Sequence, residues 1–354
     1  MSRNGNSILM NNLSAKQFIE NSEGGVIIDV RSPSEYGKGH IVGAYNMPLF
    51  SDVERAVVGT LYKKVSRDAA IEKGLEIVGP KMPGFVKDAR RLSEGKELFL
   101  YCWRGGMRSG SMAWLFDMAG FKVSLLRGGY KAYRKLFMDE IERLKDNFVV
   151  LGGYTGSGKT DILYEIEKQD RQMLDLEGLA NHRGSAFGGF GQDPQPTTEH
   201  FCNLLYDKLR RFSADREIWC EGESISIGHI YMPNELFDVI SSSVLINIDV
   251  PREIRVKRLV HSYGMFGREM YMEAFDKIRK RLGGVMADKA KECVQNGDLE
   301  SAVSIALHYY DKGYMRSTDE RKAKHSVHVE SPTGDPPDNA RMVMECFDRL
   351  KELN

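Results

Sequence analysis

Short apolar runs alternate with amphipathic stretches along the first part of the chain. Residues 25–30 run Gly-Val-Ile-Ile-Asp-Val, residues 97–101 run Glu-Leu-Phe-Leu-Tyr, and residues 122–126 run Lys-Val-Ser-Leu-Leu before Gly128-Gly129. Runs this short and this apolar predict strands covered on both faces. Residues 109–118, between the last two runs, carry apolar positions at helical spacing. Strands alternating with helices predict an α/β fold with a parallel sheet. A charged helical stretch, residues 130–146, follows. Further runs at residues 147–151, 217–220 and 244–250 predict a second parallel sheet. From Arg252 the pattern turns helical and charged, with amphipathic helices over residues 270–282 and 299–312. Residues 331–337 form a Pro- and Gly-containing loop before a terminal helix at 340–353. The pattern thus predicts an N-terminal parallel-sheet domain over 1–136, a helical connector over 137–146, and a second α/β domain over 147–354 with a helical C-terminal part.

Composition narrows the class. With 354 residues, two domains are expected; 42% apolar and 28% charged residues are ordinary for a globular chain. Fifty basic residues balance fifty acidic ones, which leaves local patches free to bind nucleic acid. Five scattered cysteines without a C-x-x-C pair argue against a disulfide framework or a zinc cage. Residues 1–13 are rich in Asn and Ser and lack an apolar run of signal-peptide length, and no stretch is long and apolar enough to span a bilayer. The expectation is a soluble, cytoplasmic protein without membrane partners.

Two segments carry candidate chemistry. The first is Tyr101-Cys102-Trp103-Arg104-Gly105-Gly106-Met107-Arg108-Ser109, between a predicted strand and a predicted helix. A loop in that position aims backbone N–H groups inward. Arg104 and Arg108 add positive charge, and a thiol at Cys102 would be favoured as a nucleophilic thiolate. A buried structural cysteine is the bland alternative, but it leaves the loop composition without a purpose. The second segment, Gly153-Tyr154-Thr155-Gly156-Ser157-Gly158-Lys159-Thr160, matches the P-loop pattern between a strand and a helix. Its backbone would cradle a di- or triphosphate, with Gly153, Gly156, Ser157 and Gly158 shaping the nest. Lys159 would neutralise the phosphates, and Thr160 would ligate Mg²⁺.

The partners of the P-loop are less sharply marked. Glu221 or Glu223 would serve as the second acidic element through a Mg²⁺-bound water, Asp175 competes as a general base, and solvated carboxylates are the bland reading. His182 and Arg183 lie in a Gly-rich segment, residues 179–189, that either closes over the ligand or merely connects elements. Residues 252–281 hold nine Lys or Arg against four acidic residues, interleaved with Tyr263, Phe266, Tyr271 and Phe275. Arg252, Arg255 and Arg258 would form a stripe that contacts RNA, forms a lid over the phosphates, or is only a solvated helix face over core aromatics.

Asp29-Val30-Arg31-Ser32-Pro33 and Gly39-His40-Ile41, together with Cys102 and Gly128-Gly129-Tyr130, resemble the rhodanese homology domain over residues 13–136. The resemblance implies that Asp29, Arg31 and His40 shape the fold around a chalcogen-carrying cysteine loop. Cys102 to Arg108 is one residue longer than the usual sulfurtransferase loop and resembles that of cysteine phosphatases, a width suited to a phosphate-bearing chalcogen donor. With a P-loop domain containing Asp175-Leu176-Glu177-Gly178-Leu179-Ala180-Asn181-His182-Arg183-Gly184-Ser185, the chain resembles the tRNA 2-selenouridine synthase family over nearly its whole length. That resemblance implies replacement of sulfur by selenium in wobble 2-thiouridine of tRNA, through an S-geranyl intermediate. The implied co-substrates are selenophosphate and geranyl diphosphate, with no tightly bound cofactor. A sulfurtransferase or cysteine phosphatase fused to an NTPase, and a nucleotide-sensing binding module, are the competing readings.

Overall fold

The computed structural model describes residues 11–319 and 325–352. The chain divides into two compact units between Asp139 and Glu140. In the first, strands β1 (Asn11–Leu13), β2 (Val26–Asp29), β3 (Tyr45–Asn46), β4 (Leu98–Tyr101) and β5 (Val123–Leu126) form one sheet in the order β1-β5-β4-β2-β3. Every pairing in it is parallel. Ile28, Val30, Leu98 and Leu100 pack with Met112, Ala113 and Phe116 of the helix Met107–Met118 on one face, and Phe99 meets Phe18 on the other, so both faces of the central strand β4 are covered. This is why the strands read as continuous apolar runs.

Three helices between β3 and β4, Asp52–Lys64, Arg67–Val78 and Met82–Ser93, are not evident from the sequence pattern. The first two bury few side chains and expose Val53, Val57, Tyr62 and Leu75, which blurs their apolar stripe. The expected single helical stretch over 130–146 is two helices, Gly129–Tyr133 and Leu136–Leu144.

In the second unit β6 (Phe148–Gly153), β7 (Gln172–Leu174), β8 (Ile218–Glu221), β11 (Val244–Asp249) and β12 (Ser326–Glu330) form a parallel sheet in the order β12-β11-β6-β8-β7. A two-stranded hairpin, β9 (Ser226–Ile227) and β10 (Ile230–Tyr231), stands apart from it. The C-terminal part is helical as expected, with the β12 strand added between its last two helices, Leu299–Asp319 and Pro336–Glu352. This edge strand has only Val329 buried, so it lacks the apolar run that marks its neighbours. Leu151, Ile162, Leu163, Trp219, Ile246 and Phe347 form the core around the sheet. The helices Arg252–Tyr263, Arg268–Leu282, Gly284–Gln295 and Leu299–Asp319 enclose a second core, which Phe187 and Phe190 enter from the Gly-rich segment.

Candidate functional site

The first unit builds an anion cradle around Cys102. Strand β4 ends at Tyr101, Cys102 follows, and the next helix starts at Met107. Two backbone bonds pin the loop from below: Tyr130 N–H donates to the Cys102 carbonyl (2.9 Å) and Lys131 N–H to the Trp103 carbonyl (3.1 Å). The N–H groups of residues 104–108 donate to no group among the described residues. They are free for an anion at the N-terminus of a twelve-residue helix. Cys102 is buried, and the Ser109 hydroxyl donates to its Sγ at 3.2 Å. Sequence reasoning missed Ser109, which the helical spacing places one turn in from the loop.

Arg104 is exposed, with no ion pair among the described residues. Arg108 behaves differently from expectation. Its guanidinium grips Glu35 at 2.6 and 3.3 Å, and Arg55 holds the same carboxylate at 2.7 Å. Burial alone would raise the Glu35 pKa, but the bonds and charges of Arg108 and Arg55 outweigh it and hold the carboxyl below its ordinary value. The charge of Arg108 is therefore spent largely on Glu35, and Arg104 is the freer cation of the loop.

Asp29 and Arg31 support the cradle from inside. Both are fully buried and paired at 2.6 Å, and Arg31 also donates to the Gly39 carbonyl. The Arg31 guanidinium lies over the Tyr130 ring at 3.9 Å, directly beneath the residue that binds Cys102. His40 stacks on Tyr36, and burial lowers its pKa. Gly129 is the tightest point of this arrangement. Its φ is +62°, and an added Cβ would lie 2.3 Å from the Cys102 carbonyl oxygen. Gly129→Ala should destabilise the first unit by roughly 2–4 kcal/mol. Urea denaturation checks this, and an unchanged midpoint would contradict it.

The second unit builds the P-loop. Strand β6 ends at Gly153 and the following helix is Lys159–Lys168. Gly158 caps that helix at φ +79°, where a Cβ would strike the Arg258 guanidinium. Lys159 Nζ donates to the Gly153 carbonyl at 3.0 Å, so the cation lies across its own loop. Ser157 is buried, with its hydroxyl bonded to the Tyr154 carbonyl. Among the described residues no group of three or more His, Cys, Asp or Glu is arranged to hold a metal ion.

The acidic partner of Thr160 is Glu177, which sequence reasoning did not single out. The Thr160 hydroxyl donates to Glu177 Oε2 at 3.2 Å. Glu177 follows β7, whose three residues are too few to read as a strand, so its position at the sheet edge was hidden. Burial, then the neighbouring Glu223 charge, pushes its pKa up to about 8, against the pull of Lys159. Asp175 is instead an N-cap: it accepts from Gly178 N–H at 2.7 Å and from the Tyr164 hydroxyl at 2.6 Å. Glu221 is fully buried, accepts from Leu176 N–H at 3.1 Å, and has its pKa raised well above the ordinary value by burial and then by Asp175 and Glu177. Buried in the sheet and bonded to the Leu176 N–H, this carboxyl is not exposed to a solvated metal. Glu177 and Glu223 are the acidic groups that remain at the loop.

A carboxyl whose pKa rises on folding holds its proton more tightly in the native state. Its contribution to stability is full below pH 4.5 and is lost as pH rises through about 8. The ligand-free protein should therefore lose on the order of a few kcal/mol across that window. Glu177→Gln should flatten the loss. Urea midpoints at several pH values check this, and parallel pH profiles for the two proteins would contradict it.

The Gly-rich segment is packed rather than a loose connector. His182 N–H donates to the Glu177 carbonyl, Arg183 N–H to the Gly188 carbonyl, and the Arg183 guanidinium lies 5.8 Å from the Tyr263 ring centre. Gly184 lies against the Glu177 and Glu223 carboxylates. Burial first, then the neighbours His229 and Lys277, lowers the His182 pKa below its ordinary value.

Two arginines of the expected stripe turn toward the P-loop. Arg255 is buried, pairs with Asp311 at 2.9 and 3.0 Å, and donates to the Thr155 carbonyl at 3.2 Å. Arg258 pairs with Asp161 and donates to the Gly334 carbonyl at 2.7 Å. Arg252 donates to the Ser304 carbonyl at 2.8 Å. Tyr263, Tyr271 and Phe275 are core residues, and Phe266 is half-buried beside Phe190. The interleaved pattern thus resolves into Arg255 and Arg258 bracing the P-loop and Arg252 held at Ser304, over buried aromatics that are not a stacking surface for bases.

Comparison with known proteins matches both units. The family model described as the tRNA 2-selenouridine synthase AAA domain matches residues 146–333, and the Rhodanese-like domain matches residues 14–136. A tRNA 2-selenouridine synthase of Sulfurovum sp. (strain NBC37-1) is 37% identical over 327 residues, covering 81% of this chain and 87% of that protein. One from Hydrogenovibrio crunogenus is 38% identical over 280 residues, covering 73% and 76%. Among solved structures, the N-terminal domain of a putative ATP/GTP binding protein from Clostridium difficile 630 is 38% identical, with a TM-score of 0.33, covering 36% of this chain and 98% of that one. No helix among the described residues is long and apolar enough to cross a membrane. With both matched regions in the same order as the two folded units, the chain belongs to the tRNA 2-selenouridine synthase family.

Proposed function

We propose that this chain replaces the sulfur of wobble 2-thiouridine in tRNA by selenium, in two steps supported by its two anion cradles. In the first, the P-loop holds the diphosphate of geranyl diphosphate. The thiouridine sulfur attacks C1 of the geranyl group, the C1–O bond breaks, and diphosphate leaves. Lys159 and the loop N–H groups stabilise the charge on the leaving diphosphate. A Mg²⁺ here would be held by the Thr160 hydroxyl with Glu177 beside it, and would supply positive charge to the leaving diphosphate. In the second step the Cys102 loop receives selenophosphate. The free N–H groups of residues 104–108 and the Arg104 charge suit its phosphate, and Cys102 faces its selenium. The selenophosphate selenium then attacks C2 of the base and expels geranylthiol, a better leaving group than the unmodified sulfur; water attacks the phosphorus, the P–Se bond breaks, and phosphate leaves the 2-selenouridine behind.

The observation that carries the reading is the pairing, in one chain of this family, of a complete cysteine cradle and a complete P-loop. The test is incubation of the purified protein with 2-thiouridine tRNA and geranyl diphosphate alone, followed by mass spectrometry of the nucleosides. An S-geranyl nucleoside is expected. Its absence, with ATP hydrolysed instead, would favour an NTPase role for the P-loop.

A further inference from the structure

A narrow cleft lies beside the P-loop. Thr155 of the loop forms part of its wall, and Phe187, Leu259, Phe275, Val303 and Ala306 supply apolar lining. Its space is about 430 Å³ counting the open mouth. The polar groups at its edge already have partners: Ala186 N–H donates to the Tyr310 hydroxyl at 2.9 Å, and the Tyr271 hydroxyl bonds to the Tyr263 carbonyl. A nucleobase or ribose buried here would leave its own donors and acceptors unpaired, at a cost that disfavours it. A hydrocarbon would lose nothing and would gain from leaving water.

We infer that this cleft receives the hydrocarbon tail of a diphosphate ester whose diphosphate lies in the P-loop, and that Val303 and Ala306 set the length of tail accepted. The inference rests on the reading of the P-loop as a prenyl diphosphate site and adds where the tail goes. Val303 and Ala306 lie one turn apart on the helix Leu299–Asp319, where side-chain size translates directly into depth. In this ligand-free form the cleft has room for only about two or three water-sized bodies. A tail enters by displacing the wall made of loop, Phe187, while the helical walls stay in place.

The test is calorimetric titration of the full chain with inorganic diphosphate, dimethylallyl diphosphate and geranyl diphosphate. Affinity should rise along that series, with geranyl diphosphate at least about tenfold tighter than inorganic diphosphate. Val303→Trp should remove most of that gain and leave inorganic diphosphate binding unchanged, which also shows that the variant is folded. Equal affinities for the three ligands in the wild type, or full geranyl affinity in the variant, would overturn the inference and spare the P-loop reading. Failure of every diphosphate to bind the wild type would overturn both. The wild-type series decides the matter if the variant does not fold.

Discussion

Cys102→Ala should abolish selenium incorporation, by at least about 100-fold, while leaving S-geranylation of 2-thiouridine tRNA intact. The split follows from the separation of the two cradles. Cys102 lies in the first unit, bonded by Ser109 and pinned through Tyr130 and Lys131. The P-loop lies in the second unit and draws its bracing from Arg255, Arg258 and Asp311, none of which belongs to the first. Removing one sulfur atom from a buried loop leaves the backbone cradle in place, so selenophosphate should still bind. Nucleoside mass spectrometry of the two half-reactions reads the result. Retained selenation in the variant would remove Cys102 from the chemistry, and lost geranylation would show that the loop does more than its geometry suggests. Ser109→Ala should have a smaller effect in the same direction, because it removes a hydrogen bond to Sγ and leaves the thiol.

Lys159→Ala should give the opposite split. Lys159 is the cation at the P-loop, resting 3.0 Å from the Gly153 carbonyl and able to turn to a bound diphosphate. A charge-assisted bond to phosphate contributes ~1.5–3 kcal/mol, so affinity for geranyl diphosphate should fall by about 10- to 100-fold. S-geranylation should fall with it. A chemically prepared S-geranyl tRNA, supplied with selenophosphate, should still be converted by the variant, because that step does not use the diphosphate. Titration and nucleoside analysis together check this. Unchanged diphosphate affinity would contradict the assignment of Lys159.

Much of this site is legible in the sequence, and the rest is hidden for identifiable reasons. The two cradles are local: each is one contiguous segment between a strand and a helix, so spacing alone locates Cys102 and the residues from Gly153 to Thr160. The strands beneath them are long enough and apolar enough to be read directly. What the sequence does not show depends on pairing across the sheet. Glu177 reaches Thr160 because β7 takes the edge beside β8, and a three-residue strand leaves no periodic signal. Asp175, two residues earlier, looks equally suitable in sequence, but its carboxylate is taken up by the Gly178 N–H. Arg108 presents the same difficulty, because its partner Glu35 lies 73 residues away. The basic segment from Arg252 shows the limit of composition: the charges are real, but Arg255 faces Asp311 and Thr155, and the aromatics beside it fill a core.

The central claim is that one chain performs two dependent steps on the same sulfur. Purified protein would be incubated with 2-thiouridine tRNA and geranyl diphosphate, with selenophosphate, or with both, and the nucleosides resolved by mass spectrometry. The account predicts S-geranyl-2-thiouridine with the first alone, and 2-selenouridine only when both are present. Selenouridine formed from selenophosphate without geranyl diphosphate, or an unaltered nucleoside under all three conditions, would contradict it.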